Sequence, residues 1–514
     1  MRRKLPSVVK KCYMLCIKYT EQFDFEYDIQ GIIRSFLPGE EMHTWKSGED
    51  SPVQDLGQSM VLECAFGEHQ MKMSLYADDV CVEAVEFERI YNEDEYDRKE
   101  TKNLLKRKLY DIFRNYTKKE LPWGTLSGIR PTKITSALVE EGMAKEDIIS
   151  HMEHTYYLSE KKAEECLTIS ENEKKILDKI DYKSGYSIYI GIPFCPSTCL
   201  YCSFTSYPVS RYAKKIDKYL DALFQEIEYC ATALPDKKVS TIYIGGGTPT
   251  SLSAEQLDRL LAKISETFDT KSLHEFTIEA GRPDSITREK LQVIRKYDIT
   301  RISINPQTMK DETLKIIGRH HNVQQFLDAY AMAREEGFDN INMDFILGLP
   351  GESIDDVRQS MEWVEQLRPD SLTIHSLAVK RAARLNLEAS AVRHLYKGYR
   401  MENSEEIMQI TKDTAGKIGL IPYYLYRQKN MTGNLENIGY ARDTKEGIYN
   451  ILIMEEKQTI LAVGAGASSK MVHIDTDRID RIENVKDVDL YIEKIDEMIE
   501  RKRKYITEYF MPKA

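Results

Sequence analysis

The chain predicts an α/β protein: six parallel strands, doubly wound or curled into a partial barrel, between an N-terminal α+β domain and a C-terminal α+β extension. Three observations carry this. Between 185 and 380, short β-branched or apolar runs alternate with longer amphipathic helical stretches. A tight group of cysteines follows directly on the first of those runs. Outside this window the alternation fades into mixed patterns. Strand–helix–strand repeats need right-handed crossovers, hence parallel pairing, and such sheets gather function at the C-terminal ends of their strands.

The strands are expected at 187–192, 240–244, 275–280, 301–305, 340–346 and 371–377, and the helices at 213–233, 254–268, 288–297, 323–336 and 354–367. Residues 1–115 hold short alternating runs such as Met60-Val-Leu-Glu-Cys64 and Met71-Lys-Met-Ser-Leu75 and read as a small α+β domain. A charged helical connector, 116–184, is interrupted by a Pro- and Gly-punctuated loop at 121–131. The core then runs over 185–380 and the extension over 381–514, with a helix at 391–418, Tyr423-Tyr-Leu-Tyr-Arg427, strands at 448–454 and 459–463, and Gly464-Ala-Gly-Ala-Ser468. The charged tail reads as a solvated helix with one packed face and no binding role.

At 514 residues and 42% hydrophobic, the chain can build more than one core. Its net charge of -11 gives no overall field that would draw nucleic acid. No apolar run is long enough for a membrane span, and the basic start at Arg2, Arg3 and Lys4 lacks the rest of a signal peptide. Nine cysteines with one tight cluster suit reduced thiols and a metal site, so the cytoplasm is the expected compartment.

The chemistry sits in Tyr189-Ile-Gly-Ile-Pro-Phe-Cys-Pro-Ser-Thr-Cys-Leu-Tyr-Cys202, which spaces Cys195, Cys199 and Cys202 as C-x3-C-x2-C after the first strand. Three thiolates on one loop suit an iron-sulfur cubane and leave one iron without a protein ligand. A structural zinc would need a fourth ligand, and the next Cys and His are Cys230 and His274, so zinc stays as the alternative. Cys12, Cys16, Cys64, Cys81, Cys166 and Cys230 read as small hydrophobes, with Cys12 and Cys16 on one helix face. Gly245-Gly-Gly-Thr-Pro-Thr250 ends the second strand, where backbone can approach a ligand. Glu279 ends the third strand amid buried neighbours, which calls for a partner. Gln307, Arg319 and Asp344 fall at matching depth around the barrel, and a structural Arg319–Asp344 ion pair is the plain alternative. His320, His321 and His375 read as loop or core histidines.

The cysteine loop resembles the radical S-adenosylmethionine (SAM) superfamily. With Thr277-Ile-Glu-Ala280, Arg301-Ile-Ser-Ile-Asn-Pro-Gln307, Gly318-Arg-His-His-Asn322 and Asn342-Met-Asp-Phe-Ile-Leu-Gly-Leu-Pro-Gly351, it is similar in order to the oxygen-independent coproporphyrinogen III oxidase (coproporphyrinogen dehydrogenase)-like family, in a long branch with an N-terminal extension. The resemblance implies a partial (β/α)6 barrel, a 4Fe-4S cluster on Cys195, Cys199 and Cys202, and SAM held by Tyr189, Tyr201, Gly246, Gly247, Thr248, Glu279, Gln307, Arg319 and Asp344. It implies an oxidoreductase of haem biosynthesis, in which a 5'-deoxyadenosyl radical takes hydrogen from two propionates of coproporphyrinogen III, and loss of carbon dioxide gives the vinyls of protoporphyrinogen IX. It also implies a reduced flavodoxin or ferredoxin-type electron donor. A tetra-anionic substrate needs cations, and Lys380, Arg381, Arg384, Arg427 and Lys429 are the candidates. Gly191 stands where the family usually has His, and Ser203 where the oxidases have Gly. Related members are a haem chaperone and haem-modifying enzymes, which is the alternative function.

Overall fold

The computed structural model describes residues 14–20, 25–38, 40, 42–49, 59–92, 95–128, 130–378, 380, 401–428, 431–473, 476 and 478–510. Its contacts gather into two units, 1–131 with 137–167, and 132–136 with 168–514.

In the first unit, Met14–Tyr19 lies parallel to both Met42–Lys46 and Ser59–Phe66, and Gln70–Ala77 and Val80–Glu88 continue as an antiparallel meander. Alternation puts Leu15, Ile17, Leu62, Met73 and Leu75 into one core with the apolar stripes of helices Glu26–Phe36 and Arg98–Thr117. Phe36 meets Tyr110 edge-on at 5.0 Å. Cys16 sits on a strand, not a helix, and Cys12 lies outside the described residues. Cys81 is exposed, contrary to the expectation of a buried hydrophobe, because the outer strand Val80–Glu88 turns most of its length to solvent.

The second unit is built on one sheet of 11 strands. Its centre is the expected parallel series: Gly185–Ile192, Lys238–Gly246, Glu275–Glu279, Arg301–Ser303, Ile341–Leu347 and Ser371–Ser376. Helices Ile216–Thr232, Ala254–Thr267, Arg288–Arg295, Val323–Glu335 and Ile354–Leu367 fall where amphipathic periodicity put them. Ile188, Ile190, Ile242, Ile244 and Ile278 are fully buried on one face. The alternate residues, Tyr189, Tyr243 and Glu279, share the other face, which holds the polar chemistry of an α/β partial barrel.

The C-terminal extension lengthens this sheet at both ends. Asn437–Ala441 pairs antiparallel with the sixth barrel strand and Ile421–Tyr426 follows it. Ile460–Val463 pairs parallel with the first strand, and Ser468–His473 and Arg478–Glu483 close that edge. The expected boundary at 380/381 is therefore no break in the fold, since ladder hydrogen bonds join both sides of it into one sheet. The segments expected as a connector, 116–184, are shared between the two units.

Two further expectations are corrected. Ile448–Met454 is a helix, not a strand: of its buried residues Tyr449 and Leu452 stand three apart, and Ile451 stands four from the buried Glu455, the spacing of a helical face. In the tail, Val488–Glu493 and Ile495–Tyr505 are helical, but Lys502 is fully buried and paired with Glu226 at 2.6 Å. The expected helix at 391–418 is described from Glu405–Lys417, and 391–400 lie outside the described residues. No helix among the described residues is long and apolar enough to cross a membrane.

Candidate cluster and SAM site

The loop after the first barrel strand is tied down at several points. Cys195 closes a short parallel pairing of Phe194–Cys195 with Tyr207–Pro208, and the Leu200 amide donates to the Ile317 carbonyl at 2.9 Å. The Ser197 hydroxyl donates to the Gly318 carbonyl at 2.9 Å. Cys195 and Cys199 are buried and Cys202 is half-buried. Burial pushes the Cys195 thiol up to about 11, and the neighbouring Cys199 and Cys202 push it the same way. Burial also raises Cys202. Buried thiols whose proton affinity is raised, as at Cys195 and Cys202, hold their charge best with a metal to replace the protons.

Cationic and hydroxyl donors face these sulfurs. Thr248 Oγ1 donates to Cys195 Sγ at 3.5 Å. Arg282, only 2% exposed, reaches Cys199 Sγ at 3.8 Å and the Ser197 carbonyl at 3.0 Å, and is held from behind by Asp284 at 2.6 Å. A single zinc would need its ligands to converge on one point. Among the described residues no three or more His, Cys, Asp or Glu do so. A cubane asks for something different, one thiolate on each of three irons, and three soft donors with N–H and O–H donors around them fit it.

Of the expected SAM residues, Gly246 and Glu279 end their strands and Gly247, Thr248 and Gln307 follow strand ends, whereas Tyr189 and Asp344 lie within strands and Tyr201 and Arg319 in loops. Gly246 has φ +103°, a backbone that favours glycine, and a Cβ there would meet the Tyr189 hydroxyl at 3.1 Å. At Gly247 a Cβ would stand 2.6 Å from the Phe194 carbonyl, so the second strand can approach the cysteine loop only without a side chain. Thr248 donates its amide to that same carbonyl at 2.7 Å. Glu279 accepts the Tyr243 hydroxyl at 2.5 Å. Burial lifts the Glu279 carboxyl to about 7 against the lowering pull of Tyr243, Arg301 and the Gly246 amide. Asp344 is opposed by burial too, but His375, the Asn342 amide at 2.6 Å and Arg301 hold it below the usual carboxylate range.

Gln307 has φ +68° because its backbone bridges the fifth strand, donating to the Asp344 carbonyl at 2.9 Å and accepting from Ile346 at 3.0 Å. Its Oε1 is buried without a hydrogen-bond partner, and so is Asn305 Oδ1. Arg319 does not pair with Asp344. It donates to the Asn305 carbonyl at 2.6 Å and lies 3.3 Å from the Tyr201 hydroxyl, and Tyr201 and Cys199 keep it charged despite burial. Buried acceptors with nothing to accept, beside carboxylates, fit an amino-acid and ribose ligand such as SAM.

Sequence reasoning missed Tyr243, Tyr449, Arg282, Arg301 and the role of His375. Tyr449 stacks on Tyr243 at 4.6 Å, and Tyr189 lies near-parallel to both at 6.3 Å. The inward phase of Tyr243 was readable from strand alternation, but nothing near residue 449 announced a helix reaching the inner face. His375 stands 3.9 Å from Asp344, so it belongs to that carboxylate's surroundings. His320 is exposed, and His321 is buried 3.9 Å from Asp284.

Of the proposed substrate cations, Lys380 sits 5.8 Å from the Phe204 ring, its ammonium weakened by burial and favoured by Cys202. Arg427 is buried and turned onto Asn434 at 2.8 Å. Arg381, Arg384 and Lys429 lie outside the described residues. The Gly191 departure has a physical reason. The C-terminal strand Ile460–Val463 lies alongside, and a Cβ at 191 would meet the Val463 carbonyl at 3.3 Å, a tight approach that favours a residue without a side chain. Nothing in the structure explains Ser203.

The parallel half-barrel with a three-thiol loop at its mouth defines a radical SAM protein, and the radical SAM superfamily model matches residues 189–364. The oxygen-independent coproporphyrinogen-III oxidase-like protein HemZ of Bacillus subtilis (strain 168) is 42% identical over 419 residues, 80% of this chain and 82% of that protein. The chain belongs to this oxygen-independent coproporphyrinogen-III oxidase-like family, whose cofactors are a 4Fe-4S cluster and SAM. The heme chaperone HemW of Bacillus subtilis (strain 168) is 40% identical over 197 residues, 38% of this chain and 51% of that protein. The solved structure of coproporphyrinogen III oxidase (HemN) from Escherichia coli matches with a TM-score of 0.48 at 24% identity, over 64% of this chain and 73% of that one.

Proposed function

We propose that the chain oxidatively decarboxylates propionate side chains of coproporphyrinogen III to vinyls, with Cys195, Cys199 and Cys202 holding the cluster. Bound together, the reduced cluster and SAM supply a carbon-centred oxidant able to take hydrogen from an unactivated C–H bond. Glu279 and Asp344 receive the ammonium and ribose of SAM. Gln307, Arg319, Tyr201 and the backbone of Gly246, Gly247 and Thr248 fix its remaining polar groups. Tyr189, stacked with Tyr243 and Tyr449, keeps water from the inner face. Each propionate gives up one β-hydrogen, one carbon dioxide and one electron to an acceptor.

The observation that carries the substrate reading is Lys380. It is a half-buried cation within electrostatic reach of Cys202, and no carboxylate among the described residues pairs with it. A desolvated ammonium beside a radical-forming site favours an anionic substrate group, and a propionate carboxylate meets that need. The test is anaerobic incubation of the reduced protein with SAM and coproporphyrinogen III, following 5'-deoxyadenosine and the decarboxylated product. Both are expected. Deoxyadenosine alone would reject this substrate, and neither one together with stoichiometric haem binding would favour the chaperone role that HemW carries.

A further inference from the structure

The loop after the third barrel strand, Gly281-Arg-Pro-Asp284, carries an ion pair that no ligand or SAM position includes. Its backbone is pinned independently of that pair. The Arg282 carbonyl accepts from the Ser285 amide at 3.0 Å and from the Ser285 hydroxyl at 2.7 Å, and the Gly281 carbonyl accepts from the Asn305 amide at 3.2 Å. Ser285 Oγ also lies 2.7 Å from Thr250 Oγ1, which ties this loop to the end of the glycine-rich segment 245–250.

On that base the guanidinium is aimed by its fork. Asp284 accepts from Nε at 2.9 Å and from Nη2 at 2.6 Å. The remaining nitrogen, Nη1, is left for the cysteine loop: it donates to the Ser197 carbonyl at 3.0 Å and to Ser197 Oγ at 2.9 Å, and it lies 3.8 Å from Cys199 Sγ. The positive end of the pair is therefore the end facing the sulfur, and both side chains are largely buried, so water screens that field poorly. Arg319, the other cation near Cys199, is engaged with the Asn305 carbonyl and is assigned to SAM.

We propose that Arg282, oriented by Asp284, is a positioning residue that sets the reduction potential of the cluster. The inference rests on the cluster assignment above. On reduction a cubane takes one electron from an external one-electron reductant, which is oxidised by one, and no bond forms or breaks. The added negative charge spreads onto the sulfurs, and a cation held against Cys199 stabilises it, which makes the reduction easier. Net charge and hydrogen bonds at the sulfurs are the terms that tune such clusters, and Arg282 supplies both at one ligand.

The experiment uses the full-length, anaerobically reconstituted protein without SAM, titrated with dithionite and redox mediators while the reduced cluster is counted by electron paramagnetic resonance. Arg282→Gln is expected to disfavour reduction by about tenfold, a midpoint about 59 mV more negative for one electron. Arg282→Lys, which keeps the charge, should recover much of that shift. Ser197→Ala, which removes a loop contact and keeps the cation, should leave the potential in place. An unshifted potential in Arg282→Gln would overturn the proposal, and so would an equal shift in Ser197→Ala, because the guanidinium would then be only a brace for the loop. If Arg282→Gln fails to fold or to take up iron, the paired change Arg282→Gln with Asp284→Asn leaves no uncompensated carboxylate. It too is expected to show the lower potential, an unshifted value being the refutation. Absence of any cubane signal in the unsubstituted protein would instead sink the cluster assignment, so the two failures are distinguishable.

Discussion

Two groups of buried polar side chains in the second unit make opposite uses of the same chemistry. Around Glu226 every demand is met: its carboxylate accepts from Lys502 at 2.6 Å, Asn484 at 2.8 Å, Tyr491 at 2.5 Å and the Gly464 amide at 2.8 Å. Lys502 in turn donates to Asn484 at 2.7 Å. At the barrel mouth, by contrast, Gln307 Oε1 and Asn305 Oδ1 accept nothing, Glu279 is lifted to about 7, and burial weakens the Lys380 ammonium. A saturated network staples the tail to the sheet edge beside the first barrel strand, and an unsaturated one waits for a ligand.

The comparison can be broken first at the ligands. Cys199→Ala should abolish SAM cleavage, measured as 5'-deoxyadenosine released under dithionite, and cleavage retained with an intact cluster would remove Cys199 from the ligand set. In the saturated network, Lys502→Met leaves a buried carboxylate without its counter-ion and should cost about 3–5 kcal/mol of stability by denaturant titration. The paired change Lys502→Met with Glu226→Gln should recover much of that loss, whereas additive losses would mean that the two groups do not act as one unit.

At the unsaturated mouth the effects should appear in binding and not in stability. If Glu279 must be ionised to take the ammonium of SAM, a carboxyl titrating near 7 predicts affinity about tenfold tighter at about pH 8 than at about pH 6. The sign follows from the raised value, since the charged form that binds is lost as pH falls. Glu279→Gln should bind weakly and without that pH dependence. Smallest of all, Lys380→Met should raise the KM for coproporphyrinogen III by about tenfold, the worth of one charge-assisted hydrogen bond, with SAM affinity unaltered.

The contrast also explains what could be read without the fold. The six barrel strands and their helices were legible because each buries one face along a fixed period, as in 187–192, where isoleucines alternate with Ser187, Tyr189 and Gly191. Cys195, Cys199 and Cys202 were legible because one loop carries all three. The 448–454 run misled because a short apolar stretch fits strand and helix alike, and only its burial at Tyr449, Ile451 and Leu452 separates the two. The tail looked solvated because Lys502 is one lysine among many, and its partner Glu226 lies far away in the chain. Arg282, Arg301 and His375 act through residues that only tertiary structure brings near, and no local pattern marks them, whereas strand alternation gave the inward phase of Tyr243 but not its partners.

The most direct test of the central claim is spectroscopy of the anaerobically purified protein, with iron and sulfide analysis and electron paramagnetic resonance of the reduced state before and after SAM is added. About four irons per chain, a cubane signal, and a change in that signal on adding SAM are expected, because one iron is left open for it. A single metal ion per chain, or a cubane signal indifferent to SAM, would contradict the account.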